Sequence, residues 1–167
     1  LVYNTTYTIT IYENSSQFRT AEEGFPLTIT DDLRRSITIT KKPERIISLA
    51  PSNTEILFAL GLGNRVIGVT EYCNYPEEAK EKEKIGGYIS PSIEKIVALQ
   101  PDLILAAHGL PLEIIDALER FNLTVVGLYP KNLDDILYDI RLVGEITGQS
   151  EDALTLVADM ARRIEAV

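Results

Sequence analysis

The chain has 167 residues, enough for one domain with a substantial hydrophobic core. Apolar residues make up 45% and charged residues 25%, the composition of a soluble globular protein. Acidic residues outnumber basic ones, 25 to 16, and at a net charge of -9 nothing neutralises phosphates in bulk, so no nucleic-acid partner is expected.

Residues 1–24 read as an N-terminal strand and linker. Tyr3 to Tyr12 alternate with threonine, as a strand does, and Asn14 to Gly24 are polar. Leu27-Thr28-Ile29 and Ile37-Thr38-Ile39 alternate again and flank Asp31 to Ser36, which predicts a β-hairpin. From Arg45 the texture changes. Ile46-Ile47-Ser48-Leu49 is an apolar run suited to a buried parallel strand. It leads through Ala50-Pro51-Ser52 into a helix ending near Leu60, with Ser52 and Glu55 at capping-box spacing and Gly61 and Gly63 as stops. Val66-Ile67-Gly68-Val69 completes a βαβ unit.

Ser92 to Gln100 predicts a short helix with Ile93, Ile96 and Val97 on one face. Strand, helix and strand then recur at Leu103–Leu105, Leu112–Phe121 and Val125–Leu128, a loose repeat of the first unit. A helix over Leu133–Thr147 follows, capped by Asn132, with Leu133, Ile136, Leu137, Ile140 and Val143 as its apolar stripe. Gly148 ends it. Ser150 starts a last helix that is expected to run through Val167. The fold class expected is α/β: a Rossmann-like lobe with a central parallel sheet flanked by helices, preceded by the hairpin and the N-terminal strand.

Ligands of such sheets sit beyond the carboxyl ends of the strands. That rule selects the loops Ala50–Asn53, Thr70–Tyr75, Ala107–Pro111 and Tyr129–Lys131, with Gly86–Ser92 beside them. They hold Ser52, Asn53, Glu71, Tyr72, Cys73, Tyr75, Tyr88, His108 and Tyr129, and so four of the eight tyrosines. A tyrosine offers a flat apolar face with a polar tip, which suits a large planar ligand. Tyr72 and Tyr88, in polar and glycine-rich loops, are read as ligand contacts; Tyr75, just before Pro76, is read as a core residue.

Signatures of chemistry are missing. Cys73 is the one cysteine, so no internal disulfide can form, and it reads as a packed thiol. His108 is the one histidine, and no HxH, HExxH or CxxC pattern supports a metal site. No Walker motif or G-x-S-x-G elbow occurs, and Gly61-Leu62-Gly63 follows a helix rather than a strand. Asp31-Asp32 and Asp134-Asp135 are explained by a turn and by a helix start. No apolar stretch of membrane-spanning length is present. The chain begins at Leu1, which reads as a trimmed or mature form. Sequons at Asn4, Asn14 and Asn122 favour a surface location only weakly, since such short patterns arise often by chance.

Specific strings resemble one family. Pro43 to Glu55 (PERIISLAPSNTE) resembles the opening of the class III periplasmic-type binding proteins, which serve ABC importers of cobalamin, ferric siderophores and haem. Tyr72-Cys73-Asn74-Tyr75-Pro76 looks like the family's second loop. Gly86 to Ile96 and Leu99-Gln100-Pro101-Asp102-Leu103-Ile104 look like its third. The resemblance covers Phe25 to Val167 and is strongest to cobalamin-binding members.

It implies two Rossmann-like lobes joined by a long helix, of which residues 25–149 supply the first lobe and 150–167 the start of the connector. The family's first-lobe aromatics match Tyr72 and Tyr88. A third falls at Ala107, where this chain departs and His108 follows directly. The family's transporter-docking glutamate matches Glu94. Position and resemblance together assign ligand contacts to Ser52, Asn53, Tyr72, Tyr88 and His108. The function implied is delivery of a corrinoid to the permease of an ABC importer by an extracytoplasmic monomer, periplasmic or at the cell surface. The protein would meet the membrane only through the transporter or an anchor. It needs no catalytic cofactor, its cargo being cobalamin or another metal chelate. The alternatives are a ferric-siderophore or haem carrier, or a structural cell-surface domain.

Overall fold

The computed structural model describes residues 24–166. The expected N-terminal strand Tyr3–Tyr12 and all but the last residue of the linker fall outside the described residues. The hairpin forms as expected: β1 (Leu27–Thr30) pairs antiparallel with β2 (Ser36–Ile39), Leu27 opposite Ile39. Alternation buries Ile29 and Ile39, while the outward Thr28 and Thr38 join their hydroxyls at 3.0 Å.

The second sheet is parallel throughout. It contains β3 (Ile46–Ser48), β4 (Val66–Val69), β5 (Glu83–Lys84), β6 (Leu103–Ala107) and β7 (Val125–Leu128), in the order β5-β4-β3-β6-β7. The chain builds outward from β3 to one edge, then crosses back to β6 on the other side of β3. The exits of β3 and β6 therefore lead away from each other, the place where such sheets open a crevice.

Both faces of the sheet are covered, as the apolar strand runs require. Along β6, Leu103 and Leu105 face one core, with Leu57 and Leu60 of α1 (Pro51–Ala59) and Ile140, Val143 and Ile146 of α4 (Leu133–Thr147). Ile104 and Ala106 face the other, with Ile96 of α2 (Ile93–Leu99) and Ile115 and Leu118 of α3 (Leu112–Arg120). The last helix, α5 (Ser150–Glu165), packs along α4. The two helices approach so closely that a Cβ on Gly144 would collide with the Cβ of Ala153.

Several local expectations change. The capping box at Ser52 and Glu55 does not form. Helix α1 starts two residues earlier, with extended Ala50 rather than Ser52 as N-cap and Pro51 in the first turn, where a missing N–H costs nothing. Asn132 does cap α4, accepting from the Asp135 N–H at 2.9 Å, and Gly148 ends the helix at φ 73°. Leu133, placed in the core stripe, is exposed in the first turn of α4. Helix α5 closes at Glu165 with Ala166 as C-cap, and Val167 lies outside the described residues.

Asp31 and Asp32 do more than form a turn. Buried Asp31 accepts from the Arg35 N–H, from the Arg35 guanidinium at 3.0 and 2.5 Å, and from the Gly127 N–H at 3.0 Å. Asp32 takes the Tyr129 N–H at 2.5 Å, and the Asp32 N–H donates to the Gly127 carbonyl at 3.2 Å. Arg35 also donates to the Val125 carbonyl at 3.0 Å. The turn thereby satisfies the outer edge of β7, which would otherwise present unpaired backbone groups.

Asp139 of α4 is only 1% exposed, and neither carboxylate oxygen accepts a hydrogen bond from a described donor. Burial, then the charge and hydrogen bond of Asp32, then Asp135, push its carboxyl up from 3.8 to about 7. Protonation of Asp139 removes one of two neighbouring charges from this buried place. The folded protein thus binds this proton more tightly than the unfolded chain. The stabilisation is complete below the ordinary carboxylate value of 3.8 and is lost as pH rises through about 7. Asp139→Asn keeps the shape and cannot ionise. Its melting temperature, followed from about pH 5 to about pH 8, is expected to gain on wild type until about pH 7 and to level off above it, and a constant offset would remove this role from Asp139.

Candidate ligand-binding site

The parallel strands bring their carboxyl ends to one rim, and the loops there are braced from beneath by polar contacts. After β3, Asn53 is 2% exposed, and its amide donates to the carbonyls of Leu105 at 3.2 Å and Ala106 at 3.1 Å. It staples α1 to β6 and turns no donor toward the rim. Its assignment as a ligand contact is therefore replaced by a bracing role. Ser52, one residue earlier, is exposed at the lip, and its hydroxyl reaches only Asn53, at 3.5 Å.

After β4 the chain makes a tight turn whose inward side chain is Cys73. Its sulfur lies 3.2 Å from the hydroxyls of both Thr54 and Thr70, the packed thiol expected. With that inward position taken by a small group, the flanking tyrosines turn out. Tyr72 is 63% and Tyr75 67% exposed, so the placement of Tyr75 in the core is wrong. Lys84 fixes the turn from below, donating to the Cys73 carbonyl at 3.1 Å.

After β5 the loop doubles back on itself. Gly86 bridges to Pro91, the Glu71 N–H donates to the Gly86 carbonyl at 3.0 Å, and the Ser92 N–H donates to the Ile85 carbonyl at 2.7 Å. Gly86 holds φ 107°, and a Cβ there would sit 3.1 Å from the Ser92 nitrogen. This closed loop throws Tyr88, Ile89 and Ser90 over the rim. After β6, His108 is exposed. After β7, half-buried Tyr129 meets the His108 ring edge-on, with centroids 5.7 Å apart and planes at 64°. Burial holds the Tyr129 phenol above the usual tyrosine range against the pull of Arg35, and its buried hydroxyl has no partner among the described residues.

Tyr72 and Tyr88 converge. With Pro51, Gly87, Ile89 and Ser90 they line a mainly apolar recess of about 610 Å³ at the N-terminus of α1. A second hollow of similar volume, about 590 Å³, lies at the other end of α1 among Phe58, Asn64, Glu78, Glu81 and Lys82. It has no tyrosine and is far from the strand carboxyl ends, where ligands of such sheets sit, so the first is the better candidate for a ligand site. His108 and Tyr129 lie on the rim but do not line the recess. Glu94 stands apart, exposed in the first turn of α2, whose N-cap Ser92 accepts from the Lys95 N–H at 3.3 Å. Sequence reasoning missed Pro51, Ile89 and Ser90 as lining residues. The paired glycines marked the loop, but nothing in its pattern says that Ile89 stays 61% exposed. Among the described residues, no three His, Cys, Asp or Glu side chains gather as a metal would need, and no helix is long and apolar enough to cross a membrane.

Residues 46–167 match a family described as periplasmic binding protein. An uncharacterized ABC transporter substrate-binding lipoprotein of Bacillus subtilis is 37% identical over 152 residues, 89% of this chain and 48% of the relative. The crystal structure of a periplasmic vitamin B12-binding protein of Vibrio cholerae superposes with a TM-score of 0.70 at 36% identity, over 75% of this chain and 49% of that one. A periplasmic haem-binding protein from Roseiflexus gives a TM-score of 0.69 at 32% identity, over 74% and 48%. The chain spans about half the length of the curated relatives it matches.

Asn53 separates bracing from binding. Asn53→Ala removes a buried donor pair and is expected to cost about 1–3 kcal/mol of stability by denaturant titration. Ligand affinity per folded molecule should not change. A loss of affinity at unchanged stability would return Asn53 to the ligand.

Proposed function

The chain belongs to the periplasmic binding protein family, and on that premise we propose that it binds a corrinoid outside the cytoplasm and presents it to an ABC importer. One observation carries this reading: Tyr72 and Tyr88, from loops after different strands, face one apolar recess at the strand carboxyl ends. A corrinoid offers a broad, mostly apolar rim edged with amides. Tyrosine rings pack on such a rim and hydrogen-bond at its edge. The likeness to a vitamin B12-binding protein at 36% identity supports this ligand class. The protein is a carrier, with no catalytic step and no cofactor of its own.

In this reading residues 25–149 form the first lobe and α5 begins the helix to a second, with ligand held between the two. The partner is the permease of the importer. The protein acts as a monomer, periplasmic or at the cell surface, and stays near the membrane through the transporter or a lipid anchor. The lipoprotein among its relatives supports the anchored form. Glu94 is the docking residue. Its place in the first turn of α2 suits a carboxylate through the helix dipole alone, but its exposure leaves it free to meet basic residues of the permease.

A haem carrier is the second reading. It is favoured by His108, Tyr88 and Tyr129, three groups on one rim that include an axial-ligand type for haem iron, and by the 32% identical haem-binding relative.

Calorimetry of the two-lobed protein with cyanocobalamin, haem and a ferric siderophore distinguishes these readings. Removing a ring that packs on the ligand costs about 1–3 kcal/mol. Tyr72→Ala and Tyr88→Ala are each expected to weaken cyanocobalamin binding at least ~10-fold, about 1.4 kcal/mol. The melting temperature should barely move. Binding of haem alone, with an iron absorbance that changes only in Tyr88→Ala, would replace the corrinoid by haem, and no binding of any of the three would leave a structural surface domain. In reconstituted transport, Glu94→Ala should abolish uptake at unchanged ligand affinity. Normal uptake would return Glu94 to a helix-start role.

A further inference from the structure

The Tyr88 ring rests against a residue with no side chain. A Cβ built on Gly109 would lie 3.2 Å from Tyr88 Cε1, 3.4 Å from its hydroxyl oxygen and 3.7 Å from Cζ. The first distance is tighter than ordinary van der Waals contact, so a side chain at 109 and the ring cannot both keep their places. Gly109 also holds φ 96°, a conformation that L-residues avoid.

Two separate demands for glycine thus meet at one position. The first is local. The chain must turn out of β6 toward α3, and it does so with the Leu110 N–H donating to the Ala107 carbonyl at 3.2 Å. The second reaches between loops. Tyr88 leaves the loop after β5, the outermost strand on one side, whereas Gly109 follows β6 on the other side of β3. The ring bridges the two halves of the sheet over the point where their connections diverge. It also forms one wall of the recess facing Tyr72 and Pro51. Its own loop is pinned at the base by the Gly86–Pro91 bridge, so the free end of the ring takes its position from what it touches across the rim.

We propose that Gly109 is a positioning residue of the ligand site: its bare backbone is the seat that fixes the tilt of the Tyr88 ring, and with it the shape of ligand that the recess accepts. The ligand part rests on the corrinoid reading above; the seat does not.

A double-mutant cycle tests the proposal. Gly109→Ala and Tyr88→Ala are combined, and each form is read by cyanocobalamin affinity and by NMR of its tyrosine ring protons. Backbone strain at Gly109 is common to both backgrounds and cancels, which leaves the ring contact. Gly109→Ala is expected to weaken binding about tenfold when Tyr88 is present and less than about twofold in Tyr88→Ala. The Tyr88 ring resonances should shift while those of Tyr72 stay.

Gly61→Ala is the control. Gly61 has φ 71° and nothing within 4 Å of its Cβ position, so that variant carries positive-φ strain without a contact and should move neither readout. If Gly109→Ala does not fold, Gly109→Asn replaces it, since asparagine tolerates positive φ better. Equal affinity losses in both backgrounds, or Tyr88 resonances unmoved by the substitution, would overturn the proposal. Should the wild-type protein take up no cyanocobalamin, the corrinoid reading falls on its own, and the ring resonances alone decide: shifted, the seat stands; unshifted, it is refuted.

Discussion

Five strands that all run the same way must end on the same side. That constraint, set by the hydrogen-bond ladders from β3 outward, governs the rest of the molecule. It brings Tyr72, Tyr88, His108 and Tyr129, each from the loop after a different strand, to a single rim. It also requires a crossing connection after every strand, which buries both sheet faces and divides the core in two. The chain changes direction at β3, so the rim is opened by a crevice rather than closed by a loop. The recess beside Pro51 lies on the β4 and β5 side of that point, lined by the loops after β3, β4 and β5.

A rim built of loops needs support, and the support is polar. Asn53, Thr54, Thr70 and Lys84 spend their hydrogen-bonding groups on backbone carbonyls, a partner hydroxyl or the Cys73 sulfur below the rim. At the far edge the hairpin turn holds β7 through Asp31, Asp32 and Arg35. Asp32 has a double part. It fixes the Tyr129 backbone at the rim and lies against the buried carboxyl of Asp139. A single carboxylate thus joins the hairpin, the last strand and α4. The apolar surface left above these braces includes Tyr72, Tyr75, Ile89 and the face of Tyr88. Exposed aromatic surface on an otherwise braced rim is the usual mark of a binding site rather than of a packing fault.

Most of the fold was legible because burial on both faces leaves uninterrupted apolar runs. Ile46–Leu49, Val66–Val69, Leu103–Leu105 and Val125–Leu128 each read as a strand and each became one. The strand at Glu83–Lys84 was not legible. It is two charged residues long, and only its pairing with Gly68 and Val69 makes it a strand. Helix starts misled where two signals competed. Pro51 and Ser52 both suit a first turn, and the proline took the earlier place. The site was legible as a set of loops but not as directions within them. Asn53 and Ser52 are neighbours, yet one points under the rim and the other out of it. Tyr75 and Tyr72 flank one turn, and the inward position went to Cys73 instead of either. Such choices depend on the space a fold leaves. Gly109 belongs to the same class, since its value lies in a ring that arrives from the other half of the sheet.

Whether this rim is the binding surface is tested most directly by adding cyanocobalamin to isotope-labelled protein and following the backbone amide resonances. Shifts gathered at Ser52, Tyr72, Gly87 to Ser90, His108 and Gly109 are the predicted result. Shifts centred on Gly61, Asn64 and Lys82 at the other end of α1, or none at saturating ligand, would contradict it.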